Sequence, residues 1–202
     1  MVQVKICGIC DLASAQAAVD AGADLLGFHF CDSSRRIAPE EARSIVEALD
    51  ARPAIVGVFI DEDPVVARQV AELVGLDLLQ LHGSEPPGFD AGRPVMKVLK
   101  VRAAEMPDAS RWPDPIMLDS WSHDQRGGTG RTWTWELARD LLSERKVFIA
   151  GGLEPGNVGT VVRNYRPYGV DVSSGVESRV RVKDPEKIRA FIQAVRFAER
   201  SS

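Results

Sequence analysis

Apolar residues come along this chain in short, nearly unbroken runs, separated by stretches in which apolar positions recur every three or four residues. The runs are Val2 to Ile6, Leu25 to Phe30, Ile55 to Ile60, Asp77 to His82, Val95 to Val101, Ile116 to Asp119, Val147 to Ala150 and Gly169 to Ser174. Runs of this kind suit strands covered on both faces, as in parallel sheets packed under helices. The stretches between them predict the helices. One starts near Asp11, carries Leu12, Ala15 and Val19 on one face and stops at Gly22; the next is opened by Pro39 and striped by Ala42, Ile45, Val46 and Leu49. Asp63 caps a third at Pro64, with Val66, Val70, Leu73 and Val74 as its buried stripe and Gly75 as its stop. A helix near Thr134 to Leu142 precedes the seventh strand. Pro155 then opens a helix striped by Val158, Val161, Val162 and Tyr165, and Asp184 with Pro185 opens a last one, carrying Ile188, Phe191, Ile192 and Val195.

Two connections break the pattern. The one after the fourth strand is short and holds Pro86 and Pro87, and Arg102 to Pro115 contains prolines without a clear stripe, so helix five is expected to be missing or replaced by a loop. No Asn-Gly hairpin signal joins the strands, and parallel neighbours require crossovers of this helical kind. Eight strands in alternation close most simply as an α/β, single-domain (β/α)8 TIM barrel, compact and near the lower size limit for that fold. An open doubly wound sheet is the alternative; it would leave two edges to protect, and the GxGxxG fingerprint after the first strand is absent.

Length and charge narrow the class further. At 202 residues with no linker or low-complexity segment, one domain is expected. The balance of 25 basic against 29 acidic residues, with no basic stripe, speaks against nucleic-acid binding. Small anionic ligands fit, because a local site can be positive on an acidic protein. No run approaches a membrane span and the first residues lack the form of a signal peptide, so no membrane partner and a cytoplasmic location are expected. Three cysteines, an odd number, argue for reduced thiols over a disulfide framework.

In a barrel, catalytic groups sit on the loops beyond the strands' C-terminal ends. Those ends carry Cys7, Arg36, His82, Asp119, the pair Gly151 and Gly152, and Ser173, Ser174 and Gly175. The last two groups follow strands seven and eight, where bare N–H groups and a helix N-terminus form a cradle for phosphate; the rival reading is a plain tight turn. Cys7 opens CGIC, which reads as a redox pair in a thioredoxin-like setting or as a buried structural cysteine. Zinc lacks its fourth ligand and its usual spacing. Asp119 ends the otherwise apolar IMLD, where a carboxyl costs free energy unless it is paired or used. Desolvation there would raise its pKa and suit a general acid; capping the loop backbone is the alternative. His82 in LQLHG reads as a hydrogen-bonded core residue or a supporting group. Gly127, Gly128 and Gly130 fail the P-loop spacing and fit a mobile lid.

Taken together, Lys5-Ile-Cys-Gly-Ile9, Gly27-Phe28-x-Phe30 with Ser34-x-Arg36, Gly57-Val-Phe59, Leu79-Gln-Leu-His-Gly83, Leu118-Asp119, Gly127-Gly-Thr-Gly130, Ala150-Gly-Gly-Leu153 with Pro155 and Asn157, and Val170-Asp-Val-Ser-Ser-Gly-Val-Glu177 resemble the phosphoribosylanthranilate isomerase family, over essentially the whole chain. The resemblance implies a (β/α)8 barrel without metal or cofactor. Its substrate is a small phosphosugar, and the protein is a monomer or a homodimer. The implied reaction is the Amadori rearrangement of N-(5-phosphoribosyl)anthranilate to 1-(2-carboxyphenylamino)-1-deoxyribulose 5-phosphate in tryptophan biosynthesis. By the same resemblance Cys7 is the general base and Asp119 the general acid. Arg36 meets the anthranilate carboxylate, and Gly151, Gly152, Ser173, Ser174 and Gly175 hold the phosphate.

The chemistry asks for these types. Ring opening needs a proton on the ribose ring oxygen, and the iminium that forms acidifies the C2 proton, which a thiolate can remove. Placement beside a helix N-terminus would lower the Cys7 pKa. An arginine fork binds both oxygens of an aryl carboxylate. The sequence departs from the family's usual text at Cys10 (Thr), Ile37 (an aromatic), Thr134 (Asp) and Arg181 (Gly). Rival functions are a histidine-pathway aldose isomerase of the same chemistry or an enzyme serving both pathways, against which Cys7 in place of an aspartate speaks, a dithiol redox protein using Cys7 and Cys10, and a non-catalytic phosphosugar binder.

Overall fold

A computed structural model describes residues 1–101, 105–120 and 135–200. The eight apolar runs become β1 (Gln3–Cys7), β2 (Leu25–His29), β3 (Ala54–Phe59), β4 (Leu78–Leu81), β5 (Val95–Val101), β6 (Ile116–Ser120), β7 (Val147–Ile149) and β8 (Gly169–Val172). Each pairs in parallel with the one before it, and β8 closes on β1 with Gln3 opposite Gly169 and Lys5 opposite Asp171. The open-sheet alternative is thereby excluded. Helices α1 (Leu12–Ala21), α2 (Pro39–Glu47), α3 (Pro64–Val74), α4 (Arg139–Glu144), α5 (Val158–Tyr165) and α6 (Pro185–Arg200) follow β1, β2, β3, β6, β7 and β8. The expected helix punctuation holds at α1 and α3: Asp11 accepts from the Ser14 N–H and Asp63 from the Val65 N–H, both at 2.7 Å. Gly22 and Gly75 end these helices at φ 91° and 75°, a region that favours glycine.

Strand alternation divides the core in two. Leu25, Val56, Met96, Val98, Met117, Phe148 and Ala150 fill the barrel interior. Their neighbours in sequence, among them Leu26, Ile55, Leu99, Ile116, Leu118 and Ile149, pack outward with the helices. Both faces are buried, which is why the runs look unbroken in sequence. Followed two residues at a time toward the C-terminal ends, the inward series arrives at polar groups: Cys7, His29, His82, Lys100, Asp119 and Ser173. The interior is thus polar at one mouth and, apart from the buried Lys5, Asp171 and Gln80, apolar below it.

Several expectations need correction. Pro155 lies in a turn, and α5 begins three residues later with Asn157 as its cap. Asn157 stitches that turn: its Oδ1 accepts from the Glu154 N–H at 2.9 Å and its Nδ2 donates to the Gly152 carbonyl at 2.8 Å. The buried stripe of α3 is Ala67, Ala71 and Val74, whereas Val66 and Leu73 are exposed; small residues let the helix lie close on the barrel. Leu12 is likewise exposed, and Ala15 and Ala18 make the contact of α1. Residues 105–115 contain no helix, in keeping with the loop expected there, and 82–94 contain none either. The helix placed near Thr134 to Leu142 is a 3-10 turn, Trp135–Ala138, running into α4. Thr134 and the glycine-rich stretch read as a lid lie outside the described residues. A small hairpin, β9 (Glu177–Arg179) against β10 (Val182–Lys183), went unpredicted because a charged ESRVRVK stretch carries no turn signal.

Candidate active site

Cys7 closes β1 and Asp119 lies at the end of β6, both facing inward at the same mouth. In the ring of strands, β7 and β8 stand between them on the shorter arc, and these two carry the glycine and serine turns. Sulfur, carboxyl and turns therefore share one basin.

The Cys7 sulfur is almost fully enclosed. Lys5 lies below it on the same inward face, with no exposed side-chain surface, and its ammonium meets Asp171 Oδ1 at 2.7 Å. A Cβ added at Gly27 would fall 2.8 Å from Cys7 Sγ and 2.9 Å from Lys5 Nζ, so glycine on β2 is what gives both groups room. Burial would depress the Lys5 ammonium, but Asp171 and Cys7 more than reverse this and hold it above its ordinary value. For Cys7 burial is the largest influence and pushes the thiol up, with Lys5 and Lys183 pulling the other way. The expected lowering by a helix N-terminus is not found. Gly8, at φ 74°, turns the chain away and α1 starts only at Leu12.

Asp119 is not the lone carboxyl that IMLD suggests. Lys100 donates to its Oδ2 at 2.6 Å, and His82 Nε2 lies 3.6 Å from the same oxygen. Lys100 stands opposite Asp119 in the register of β5 and β6, which explains the closeness. Burial, then Lys100, lower the His82 pKa to about 4, against the opposing pull of Asp119, so its ring is neutral near pH 7.

The loop after β2 separates two adjacent arginines. Arg35 turns inward and makes a forked pair with Glu177, two bonds of 2.7 Å. Arg36 is exposed at the rim, its backbone bridged to His29. Glu177 also meets Lys183 at 3.0 Å, and Lys183 donates to the Ser173 carbonyl at 3.0 Å. Burial outweighs Glu177 in lowering the Lys183 pKa; for Glu177, Arg35 and Lys183 overcome burial and lower its own. This buried triad ties the loop after β2, the turn after β8 and the hairpin together.

Gly151 and Gly152 take φ 86° and 71°, so the turn after β7 uses the freedom expected of it. Ser174–Val176 forms a 3-10 turn directly after β8, and Gly151, Gly152, Ser173, Ser174 and Gly175 are all half-buried at the mouth. Gly175 touches the preceding turn so closely that a Cβ would sit 2.0 Å from the Leu153 carbonyl oxygen.

Sequence reasoning missed Lys5, His29, Lys100 and the Arg35–Glu177–Lys183 triad. Strand parity was the available signal: Lys5 and Lys100 share faces with Cys7 and Met96, and His29 with Leu25. Cys10 donates its S–H toward the Gly8 and Arg35 carbonyls at 3.6 and 3.5 Å, and all three cysteines are free thiols. A closed barrel is also not the setting of a thioredoxin-like pair.

Fold and site together define a (β/α)8-barrel protein with an inward thiol, a carboxyl and two glycine- and serine-bearing turns at one mouth. Residues 4–194 match the family model described as N-(5'phosphoribosyl)anthranilate (PRA) isomerase. The N-(5'-phosphoribosyl)anthranilate isomerase of Pelobacter propionicus is 46% identical over 198 residues, covering 96% of this chain and 95% of that one. The crystal structure of phosphoribosyl anthranilate isomerase from Thermotoga maritima superimposes with a TM-score of 0.88 at 37% identity, covering 98% of this chain and 100% of that one. Another isomerase structure, in complex with reduced 1-(o-carboxyphenylamino)-1-deoxyribulose 5-phosphate, gives 0.84 at 35% identity and covers 98% and 100%. The chain belongs to the phosphoribosylanthranilate isomerase family, whose members are isomerases of tryptophan biosynthesis.

Proposed function

We propose that this chain carries out its family's Amadori rearrangement with Cys7 as general base and Asp119 as general acid, the phosphate held by Gly151, Gly152, Ser173, Ser174 and Gly175 and the anthranilate carboxylate by Arg36. The observation that carries the reading is the order around the barrel: Asp119 on β6, the two turns after β7 and β8, then Cys7 on β1. A phosphosugar anchored by its phosphate at those turns extends its sugar into the space between carboxyl and sulfur. The remote phosphate contacts hold the reacting carbons in place.

The steps follow from the groups. Asp119 delivers a proton to the ring oxygen while the anthranilate nitrogen pushes the ring open as an iminium. For that delivery Lys100 must release the carboxyl or pass its own proton to it. The cationic iminium arrives beside a buried sulfur and favours its thiolate, which removes the C2 proton and leaves the enolamine. Protonation at C1 and tautomerisation give the ketose. His82 supports Asp119 as a neutral neighbour, its Nε2 3.6 Å from the carboxylate Oδ2. The chain works as one barrel domain in the cytoplasm on a small phosphosugar, with no need of nucleic acid, metal or cofactor.

The test follows the fluorescence of the anthranilate substrate as it disappears. The parent should turn over, Cys7→Ser should lose nearly all activity, and Asp119→Asn should lose most of kcat while keeping product-analogue affinity. Unchanged turnover in Asp119→Asn removes the carboxyl from the acid role. The histidine-pathway aldose should be turned over poorly.

A further inference from the structure

His29 is the last residue of β2, beside β1, and its ring reaches the Cys7 sulfur with Nε2 at 3.3 Å. Its other nitrogen, Nδ1, lies 2.9 Å from Ser33 Oγ, and that oxygen accepts the Arg35 N–H at 3.1 Å. Arg35 is itself anchored by its fork on Glu177. The imidazole is therefore held at both nitrogens, by a serine whose own position is set by a buried ion pair.

The proton inventory gives this chain a direction. A neutral imidazole carries one N–H, and a thiolate can only accept. Facing a thiolate, His29 must carry its hydrogen on Nε2, and Nδ1 then accepts the Ser33 hydroxyl, whose oxygen accepts from Arg35. Every donor meets an acceptor. The surroundings keep the ring neutral: burial first, then Lys5, Arg35, His82 and Lys183, bring its pKa down to about 3.

We infer that His29, oriented by Ser33, is a positioning residue that donates Nε2–H to the Cys7 sulfur and holds it as the thiolate base. This rests on the reading of Cys7 as the base. Around the sulfur, Lys5 from β1 and Lys183 from β10 supply positive charge, Asp171 from β8 opposes them, and Cys31 adds a neighbouring thiol. Charge sets the balance, whereas His29 supplies the directional bond, and a hydrogen bond to an ionised group is worth roughly tenfold in an equilibrium or more.

The experiment uses the full-length chain with Cys10→Ser and Cys31→Ser, so that one thiol remains. Iodoacetamide alkylation of Cys7 is followed against pH, with the pH dependence of kcat/KM alongside. His29→Phe should move the alkylation midpoint and the lower limb of kcat/KM upward by about one pH unit. Its kcat should fall about tenfold, with KM little changed. Ser33→Ala should shift the midpoint the same way by less, and His29→Gln, whose amide can donate, should recover part of the effect. Should His29→Phe fail to fold, Ser33→Ala alone decides. An unshifted midpoint in the folded variants overturns the inference. A Cys7→Ser variant that still turns over would overturn the base assignment instead, while alkylation would still report the hold of His29 on the sulfur.

Discussion

Lys5 and Asp171 stand opposite one another on β1 and β8, 2.7 Å from ammonium to carboxylate, inside a barrel where Lys5 has no exposed side-chain surface. Removing one partner of such a pair leaves a charge buried without compensation, a loss of about 3–5 kcal/mol. Lys5→Met should therefore lower the unfolding free energy by about that much, measured by urea denaturation. Adding Asp171→Leu should restore a large part of it, because the lone carboxylate is gone. Activity should not return in the double variant, since the cation beneath the Cys7 sulfur is still missing. A double variant with parental kcat would show that Lys5 serves only as a partner for Asp171.

Arg181 occupies the left-handed region at φ 72°, where its family usually has glycine, and its guanidinium donates to the carbonyls of Ser34 and Arg36 at 3.2 and 2.8 Å. The backbone cost of a side chain in that region is about 1–2 kcal/mol. In return, the two hydrogen bonds hold the rim loop that presents Arg36. Arg181→Gly should thus leave Tm unchanged or slightly raised, yet increase KM several-fold at nearly constant kcat, because the loop carrying Arg36, the residue proposed to meet the anthranilate carboxylate, loses its tie. Steady-state kinetics and a thermal melt on one preparation check both halves.

Gly175 separates a packing requirement from a conformational one. Its Cβ would lie 2.0 Å from the Leu153 carbonyl oxygen, so alanine forces the turns after β7 and β8 apart. Backbone cannot rotate out of the way as a side-chain tip can. Gly175→Ala should raise the Kd for a phosphorylated product analogue at least tenfold, by calorimetric titration. Gly156→Ala, in the same region, would meet only Glu154 Oε1 at 3.6 Å and serves as the control. Equal affinity in the two variants would detach the Gly175 contact from phosphate binding.

The barrel was legible because parallel strands buried on both faces leave plain apolar runs, and Val95–Val101 appears in the structure with the bounds its residues suggest. Helix faces were harder to read. At α3 the larger Val66 and Leu73 outweighed Ala67 and Ala71 in the pattern, although close packing against the strands selects the small side chains. Cys7, His82 and Asp119 were legible as polar interruptions at strand ends. Lys5, Lys100 and His29 were not, since only closure of the sheet fixes which parity points inward. The choice between Arg35 and Arg36 needed Glu177, which lies 142 positions from Arg35 and reaches it only through the hairpin. Cys7 stands at the strand end where the sequence puts it, but its environment was read with the wrong sign, because the length of the loop before α1 leaves the sulfur to burial.

His29 and His82 make acid the sensitive side of this protein's stability. Both rings are half-buried and neutral, with pKa values brought to about 3 and about 4 by loss of solvation and the nearby cations, from an ordinary 6.5. Between those values and 6.5 the unfolded chain binds more protons than the folded one, so stability rises with pH and is lost as pH falls through that window. Each ring should remove about 2 kcal/mol by pH 5 relative to pH 7, and Glu177, whose pKa is lowered in the fold, adds a further loss only below the ordinary carboxylate range. Urea unfolding from pH 7 to pH 4.5 should show a slope approaching two protons taken up per molecule unfolded. The double variant His29→Gln, His82→Gln should flatten that slope while lowering stability at pH 7. A parental slope in the double variant would mean that the acid sensitivity comes from carboxylates, and that the two imidazoles already carry their protons inside the barrel.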